Sequence, residues 1–286
     1  MSQLTVSKWQ GTGNDFVLLD NPTARAFPYD RLARALCDRR LGVGGDGLIV
    51  MLPATGGQAD VAMRTFNADG SEAEMCGNGI RCVALARAGR AGRSAVSIET
   101  MAGPVRAEIL SDGRVRVDMG APRLTRGEIP MSGPEDAKAI GAPVELAGEV
   151  VRLNAISMGN PHCVVFVEGA LDRIDLRALA ATLNDESLFP HGANVEIANG
   201  GGSRFDMRVW ERGVGETQAC GSGACAVAVT ALLAGRAASP LEVRMPGGSL
   251  VIEWRGEGEH VFLTGAASQT FRAEVDLPAA LLDDGG

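Results

Sequence analysis

Two cysteines in near-identical settings are the residues of this chain best suited to chemistry. Cys76 opens Cys76-Gly77-Asn78-Gly79 and Cys220 opens Cys220-Gly221-Ser222-Gly223, with Glu72 and Glu216 at the same spacing upstream. An alanine-rich helical run follows each, 80–88 in one copy and 224–234 in the other, so each thiol is expected at a helix N-terminus. The partial positive charge of a helix end favours a thiolate. The free N–H groups of its first turn can hold a carboxylate or phosphate. For either motif alone the alternative is a tight glycine turn entering a core helix, with a small apolar cysteine packed beneath it.

The elements that must position these thiols can be traced along the chain. A strand over 4–9, a glycine turn carrying Asn14 and a buried strand over 16–20 open it. An amphipathic helix over 30–40 follows, with Leu32, Ala35, Leu36 and Cys37 on one face and Gly42 as its stop. Strands over 48–52 and 61–66 then deliver Asn67 to the first cysteine motif, and strands over 95–100, 105–110 and 114–119 come after its helix. Residues 120–149 are rich in Pro, Gly and charge and read as a linker or irregular crossing, with a strand near Val144.

Beyond that stretch the order begins again. It runs through a strand over 153–157, a turn with Asn160 and His162, a strand over 163–167 and a helix over 176–184. An Asn194 loop into a strand over 195–198, a strand over 205–210 and the loop Glu211-Arg212-Gly213 then lead to the second cysteine motif. Asn160 follows Asn14 by 146 residues, Cys220 follows Cys76 by 144, Glu216 follows Glu72 by 144, Gly247 follows Gly103 by 144, and Gly265 follows Gly120 by 145. An offset held this closely implies two copies of one α/β unit, each a mostly antiparallel β body wrapped on a cysteine-headed helix. The expected domains are 1–120 with about 266–286, the strand over 271–275 returning to the first, and 121–265.

Composition narrows the function classes. The 286 residues are 45% hydrophobic, enough for two domains with full cores. Net charge is −8 without a basic run, which disfavours nucleic acid and anionic membranes as partners and favours a small soluble substrate. The start of the chain has no secretory apolar region and the run over 224–234 is too short to span a bilayer, so a soluble cytoplasmic protein is expected. Six cysteines without a Cys-x-x-Cys pair argue for reduced thiols and against a metal site. Of these, Cys37, Cys82, Cys163 and Cys225 are expected in the core. The only lysines, Lys8 and Lys138, lie in no motif, which disfavours pyridoxal chemistry. The Gly42–Gly47 loop lacks the order that a dinucleotide or Walker site requires.

A duplicated thiol suits inversion of a stereocentre. In a pseudo-twofold arrangement equivalent loops face one substrate, so one thiolate removes a proton α to a carboxylate and the other thiol returns one to the far face. A Cα proton is far less acidic than a thiol, whose reference pKa is about 8.5. The helix N-termini must therefore supply oxyanion-type donors, each worth about 3–4 kcal/mol.

On Gly13-Asn14-Asp15-Phe16, Asn67-Ala68-Asp69-Gly70, Met75-Cys76-Gly77-Asn78-Gly79-Ile80-Arg81-Cys82, Met158-Gly159-Asn160-Pro161-His162 and Glu211 through Ala226, the chain resembles the diaminopimelate epimerases. The resemblance implies a cofactor-independent enzyme, a homodimer, that interconverts LL- and meso-diaminopimelate in the lysine and peptidoglycan precursor pathway. It assigns Cys76 and Cys220 as the acid/base pair, and Gly77, Asn78, Gly221 and Ser222 to the reacting carboxylate. Asn14, Asn67, Asn160, Asn194 and Arg212 fall to the distal end, and Glu211 is counted among the residues around the substrate. His162 and Glu211 match a dyad that helps to set thiol protonation, although on residues alone His162 could equally satisfy a turn. Glu72 and Glu216 either cap the cysteine turns or lie solvated, and His191 and His260 are expected at the surface. Some relatives carry glutamine where this chain has Gly47. The rival reading is a proline or hydroxyproline racemase, or a phenazine-type isomerase, of the same architecture.

Overall fold

The computed structural model describes residues 2–57, 59–73, 76–146, 149–278 and 281. They form a mixed α/β fold, mostly strand with few helices, in two compact units, Met1–Val117 with Gly265–Gly286 and Asp118–Thr264. No helix among the described residues is long and apolar enough to cross a membrane.

In the first unit β1 (Ser2–Gly11) and β2 (Asn14–Asp20) form an antiparallel hairpin. Thr12 and Gly13, both at positive φ, make its two-residue turn, the geometry that matches strand twist. Helix α1 (Tyr29–Cys37) crosses to β3 (Gly47–Leu52), parallel to β2 with Phe16 opposite Gly47. Next come β4 (Val61–Asn67), the short β5 (Glu72–Ala73) and α2 (Gly77–Ala91). The antiparallel run β6 (Ala95–Thr100), β7 (Gly103–Ile109) and β8 (Val115–Asp118) follows.

The second unit repeats the plan. Strands β9 (Ala139–Leu146), β10 (Glu149–Ser157) and β11 (Pro161–Phe166) lead to α3 (Leu176–Leu183) and β12 (Asn194–Glu211). Strand β12 runs parallel to β11 with His162 opposite Asn194. Then β13 (Gly215–Thr217) precedes α4 (Gly221–Leu233), and β14 (Ala237–Met245), β15 (Gly248–Glu253) and β16 (Phe262–Gly265) close the unit. Strand β17 (Ser268–Leu277) pairs with β1, Leu277 opposite Ser2, and so belongs to the first unit.

The cysteine-headed helices are the centre of each unit. Helix α4 is apolar on every side and buried from Gly221 through Ala231, so strands must cover all of it. It packs on β10, β11, β12, β14 and β15, while α2 packs on β1, β4, β6, β7 and β17. A helix enclosed in this way has little freedom to shift, and its N-terminal cysteine inherits that rigidity.

Several boundaries differ from the sequence reading. Helix α1 stops at Cys37 because Asp38 Oδ1 accepts the N–H groups of Arg40 and Leu41 at 2.7 and 2.8 Å, a turn that competes with further helix. The irregular stretch is shorter than 120–149: it ends where the strand expected near Val144 begins as β9, which pairs antiparallel with β10, and within it Arg123 and Thr125 bridge to Ser157 and Lys138. The two strands expected over 195–198 and 205–210 are one long β12, which passes through Gly200 and Gly202 at positive φ.

Candidate active site

Each cysteine is the N-cap of its helix, in extended backbone with φ −138° at Cys76 and −132° at Cys220. The two glycines after each thiol are therefore helical, and α2 and α4 begin three residues earlier than the apolar runs suggest. The second of each pair, Gly79 or Gly223, lets the helix start sit directly on the strand beneath it, where a Cβ would lie 2.7 Å from Ile49 or Glu196.

Around Cys76, which is half-buried, the Gly79 N–H donates to Sγ at 3.4 Å. Asn14, presented by the β1–β2 turn, has its Oδ1 4.0 Å from Cys76 Sγ and accepts from Asn78 Nδ2 at 3.3 Å. Its own amide donates to Asp46 at 2.6 Å. The buried Arg81 ties the start of α2 together, donating to Gly77 O at 3.2 Å, Asn78 Oδ1 at 2.9 Å and Thr12 Oγ1 at 2.7 Å. Beneath the turn, burial pulls the Asp15 carboxyl up, yet hydrogen bonds from Arg39 and Lys8 hold it down at about 2. It remains ionised and pairs with Lys8 and Arg39, and because Arg39 also pairs with Asp46 the turn that carries Asn14 is tied to the loop that carries Asp46.

Around Cys220 the surroundings are more strongly charged. The thiol is buried, with Sγ 3.5 Å from Ser222 Oγ. Burial pushes it well above the usual thiol range, and the carboxylates of Glu211 and Glu196 push the same way against Ser222. Glu211, at the end of β12, accepts from Thr217 Oγ1 at 2.5 Å. Burial raises its carboxyl too, opposed by hydrogen bonds from Thr217 and Cys220 and by His162. His162 is fully buried, with Nδ1 2.7 Å from Glu196 Oε1 and Nε2 3.1 Å from Asn160 Oδ1. The carboxylate bonded to His162 is thus Glu196, and among the described residues His162 and Glu211 share no hydrogen bond.

Glu196 was not singled out from sequence, although a signal existed. It is the lone charge in Asn194-Val-Glu-Ile-Ala, on a strand buried at every position from Asn194 through Ala198. A Cβ built on Gly223 falls 2.7 Å from Glu196 Oε1 and 3.3 Å from the Cβ of Cys220. Glu196 is anchored by His162 and cannot yield, so Gly223→Ala is expected to cost about 1–3 kcal/mol of stability. Urea unfolding of the variant measures this loss.

The remaining residues divide by how they are engaged. Asn194 spends its amide on backbone, donating to Pro161 O at 3.2 Å and accepting from the Arg212 N–H at 2.9 Å. Asn67 donates to Ser71 Oγ at 2.9 Å. The exposed Arg212 donates to His191 O at 2.9 Å and forms no ion pair among the described residues. Glu72 and Glu216 do not cap the cysteine turns. Each is clamped bidentate by an arginine on the neighbouring strand, Arg64 at 2.6 and 2.8 Å and Arg208 at 2.7 and 2.9 Å. A Cβ at Gly47 would lie 2.6 Å from Phe66 O, so β3 and β4 as paired here leave no room for a side chain at that position. Cys37, Cys82, Cys163 and Cys225 are core residues, and burial drives Cys37 and Cys82 up to about 12. His191 and His260 are exposed, the latter 2.8 Å from Asp118.

Comparison with known proteins adds a family to this geometry. A family model described as Diaminopimelate epimerase matches residues 6–125 and 154–270. The chain is 49% identical over 274 residues to the diaminopimelate epimerase of Desulforudis audaxviator (strain MP104C), covering 93% of this chain and 96% of the relative. Against that of Synechococcus sp. (strain JA-2-3B'a(2-13)) it is 48% identical over 277 residues, 94% of this chain and 97% of the relative. Among solved structures, a probable proline racemase from Agrobacterium radiobacter K84 superposes with a TM-score of 0.73 at 16% identity, covering 96% of this chain and 93% of the other. The phenazine biosynthesis protein, PhzF family, of Bacillus anthracis does so at 0.69 and 18% identity, covering 97% and 100%. At these identities the two structures share the fold and no more.

Proposed function

The chain belongs to the diaminopimelate epimerase family, and we propose that it interconverts LL- and meso-diaminopimelate without a cofactor, by two-base proton transfer between Cys76, Cys220 and the substrate Cα. The observation that carries this reading is the pair of cysteines, each the N-cap of the helix on which its unit's strands pack. Inversion at carbon requires a base on one face and an acid on the other, and the duplication provides two thiols in equivalent local frames.

The protonation states suit those roles. Burial and two carboxylates hold Cys220 as a thiol, the proton donor of one direction. Cys76 Sγ accepts the Gly79 N–H at the start of its own helix, the donor a thiolate acting as the base would use. In the reverse direction the roles exchange. Negative charge spreads onto the α-carboxylate as the proton leaves, and the first-turn N–H groups at Gly77-Asn78 and Gly221-Ser222 stabilise it, each donor worth about 3–4 kcal/mol. No covalent intermediate is required.

Arg212 has N–H groups left over after holding the 191–192 carbonyls, and a second carboxylate is what its planar fork fits. With Asn14, Asn67, Asn160 and Asn194 it would hold the distal L-centre, so that only one of two chemically alike ends reacts. A cyclic imino acid has no distal carboxylate, which sets the racemase reading second. The family reading also carries a homodimer in the cytoplasm.

The test is incubation of LL-diaminopimelate in D2O, with L-proline as the comparison substrate. Conversion to the meso form with deuterium entering at Cα is expected. Turnover of L-proline without turnover of diaminopimelate would reverse the assignment.

A further inference from the structure

The two halves superimpose in sequence, yet they differ at two positions under the cysteine helices. By the Asn14 to Asn160 correspondence, Phe16 answers to His162. By strand register, Gly47 opposite Phe16 answers to Asn194 opposite His162, and two residues further along Ile49 answers to Glu196. The contacts agree. A Cβ on Gly79 meets Ile49 Cδ1 at 2.7 Å and Met63 Cε at 2.9 Å, and one on Gly223 meets Glu196 Oε1 at 2.7 Å and Met207 Cε at 3.3 Å. Hydrocarbon fills these places beneath Cys76, whereas an imidazole and a carboxylate fill them beneath Cys220.

The pair is not needed to complete the core. Phe16 and Ile49, buried in the same frame, do that in the first half. Glu196 is fully buried, and its second oxygen, Oε2, has no hydrogen-bond partner among the described residues. A buried carboxylate with one oxygen unsatisfied opposes folding. Its presence in this core therefore points to a role at the site.

We propose that Glu196 is a positioning residue for the reaction: by accepting from Nδ1 of His162 it fixes the tautomer and orientation of that imidazole, with Nε2 turned toward Asn160. The inference rests on the epimerase reading given above. The 2.7 Å contact between fully buried partners is the geometry of a charge-assisted bond. A carboxylate bonded to one ring nitrogen determines what the other nitrogen presents. The groups that share this space are Asn160 at Nε2, Glu211, which senses the charges of both members of the pair, Cys220, which senses that of Glu196, and the uncharged Met207 and Gly223. Glu196 thereby makes the Cys220 side unlike the Cys76 side, as two thiols that must differ in protonation require.

Two variants test this. Glu196→Ile installs the residue of the first half and removes the acceptor, and Glu196→Gln keeps a neutral acceptor of the same shape. The expected order of kcat for diaminopimelate is wild type, then Glu196→Gln, then Glu196→Ile, the last down about tenfold or more with KM within about twofold. The chain has 3 histidines, so the Nδ1–H signal of His162 can be assigned by nitrogen-15 NMR. That signal is expected far downfield in the wild type, shifted upfield in Glu196→Gln and lost in Glu196→Ile. An unchanged kcat in the variants overturns the proposal, as does a His162 signal that does not move in Glu196→Gln, whatever happens to the rate. Should Glu196→Ile fail to fold, Glu196→Gln decides alone. The NMR measurement needs no substrate, so an error in the substrate assignment and an error in the role of Glu196 give different results.

Discussion

Replacing either Cys76 or Cys220 with alanine lowers diaminopimelate epimerisation by about 100- to 10,000-fold, the range that a positioned proton donor or acceptor contributes. Neither thiol can substitute for the other, because a base on one face of a carbon cannot deliver a proton to the opposite face. Solvent exchange separates this mechanism from a loss of structure. In D2O each single variant can still remove and return a proton on the face of its remaining thiol. Residual Cα exchange without inversion is therefore expected with one epimer only, and with opposite epimers for the two variants. Epimerisation at the wild-type rate in either variant would remove the two-base mechanism. Both substitutions remove a small side chain at an N-cap, and Cys76 also loses the sulfur that accepts from Gly79. Circular dichroism of the variants checks that the helices are retained.

The second large effect is expected at Arg212. Replacement by methionine keeps most of the aliphatic stem and removes the fork, so kcat/KM for diaminopimelate should fall about 100-fold, the worth of one or two charge-assisted hydrogen bonds. The loss should fall mainly on KM, since the distal carboxylate is bound alike in the ground and transition states. Arg212→Lys should recover little of it, because an ammonium offers no planar pair of donors. Steady-state kinetics of the two variants decides the matter: an unchanged KM in Arg212→Met would place the distal carboxylate elsewhere. The backbone around Arg212 argues that the loop survives the change, because the Arg212 N–H, which every variant retains, holds Asn194 Oδ1.

What could be read from the residues alone was whatever the chain encodes locally or repeats. The cysteines at the helix starts follow from short-range patterns, glycine turns running into alanine-rich segments. The two-unit plan follows from anchors that recur at nearly one offset. Four cysteines went to the core for the same kind of reason, their place on apolar faces, and they are buried as expected. Local reasoning faltered where a side chain competed with the backbone, as Asp38 does in ending α1, or where glycines interrupted a single strand, as Gly200 and Gly202 do in β12. It could not assign the partners of Glu72 and Glu216, since each arginine lies on the neighbouring strand and is brought opposite by antiparallel register.

The electrostatics under Cys220 lay furthest from the sequence. His162 and Glu196 are 34 residues apart, and only the parallel register of β11 with β12 sets their side chains 2.7 Å from one another. Nothing in the motif Cys220-Gly-Ser-Gly distinguishes it from Cys76-Gly-Asn-Gly in a way that predicts a carboxylate beneath one helix and hydrocarbon beneath the other. The sequence by itself determined that there are two thiols, each at a helix start. The tertiary structure decided that their surroundings differ, because burial and charge at a site are summed over strands that are distant along the chain and adjacent only once it has folded.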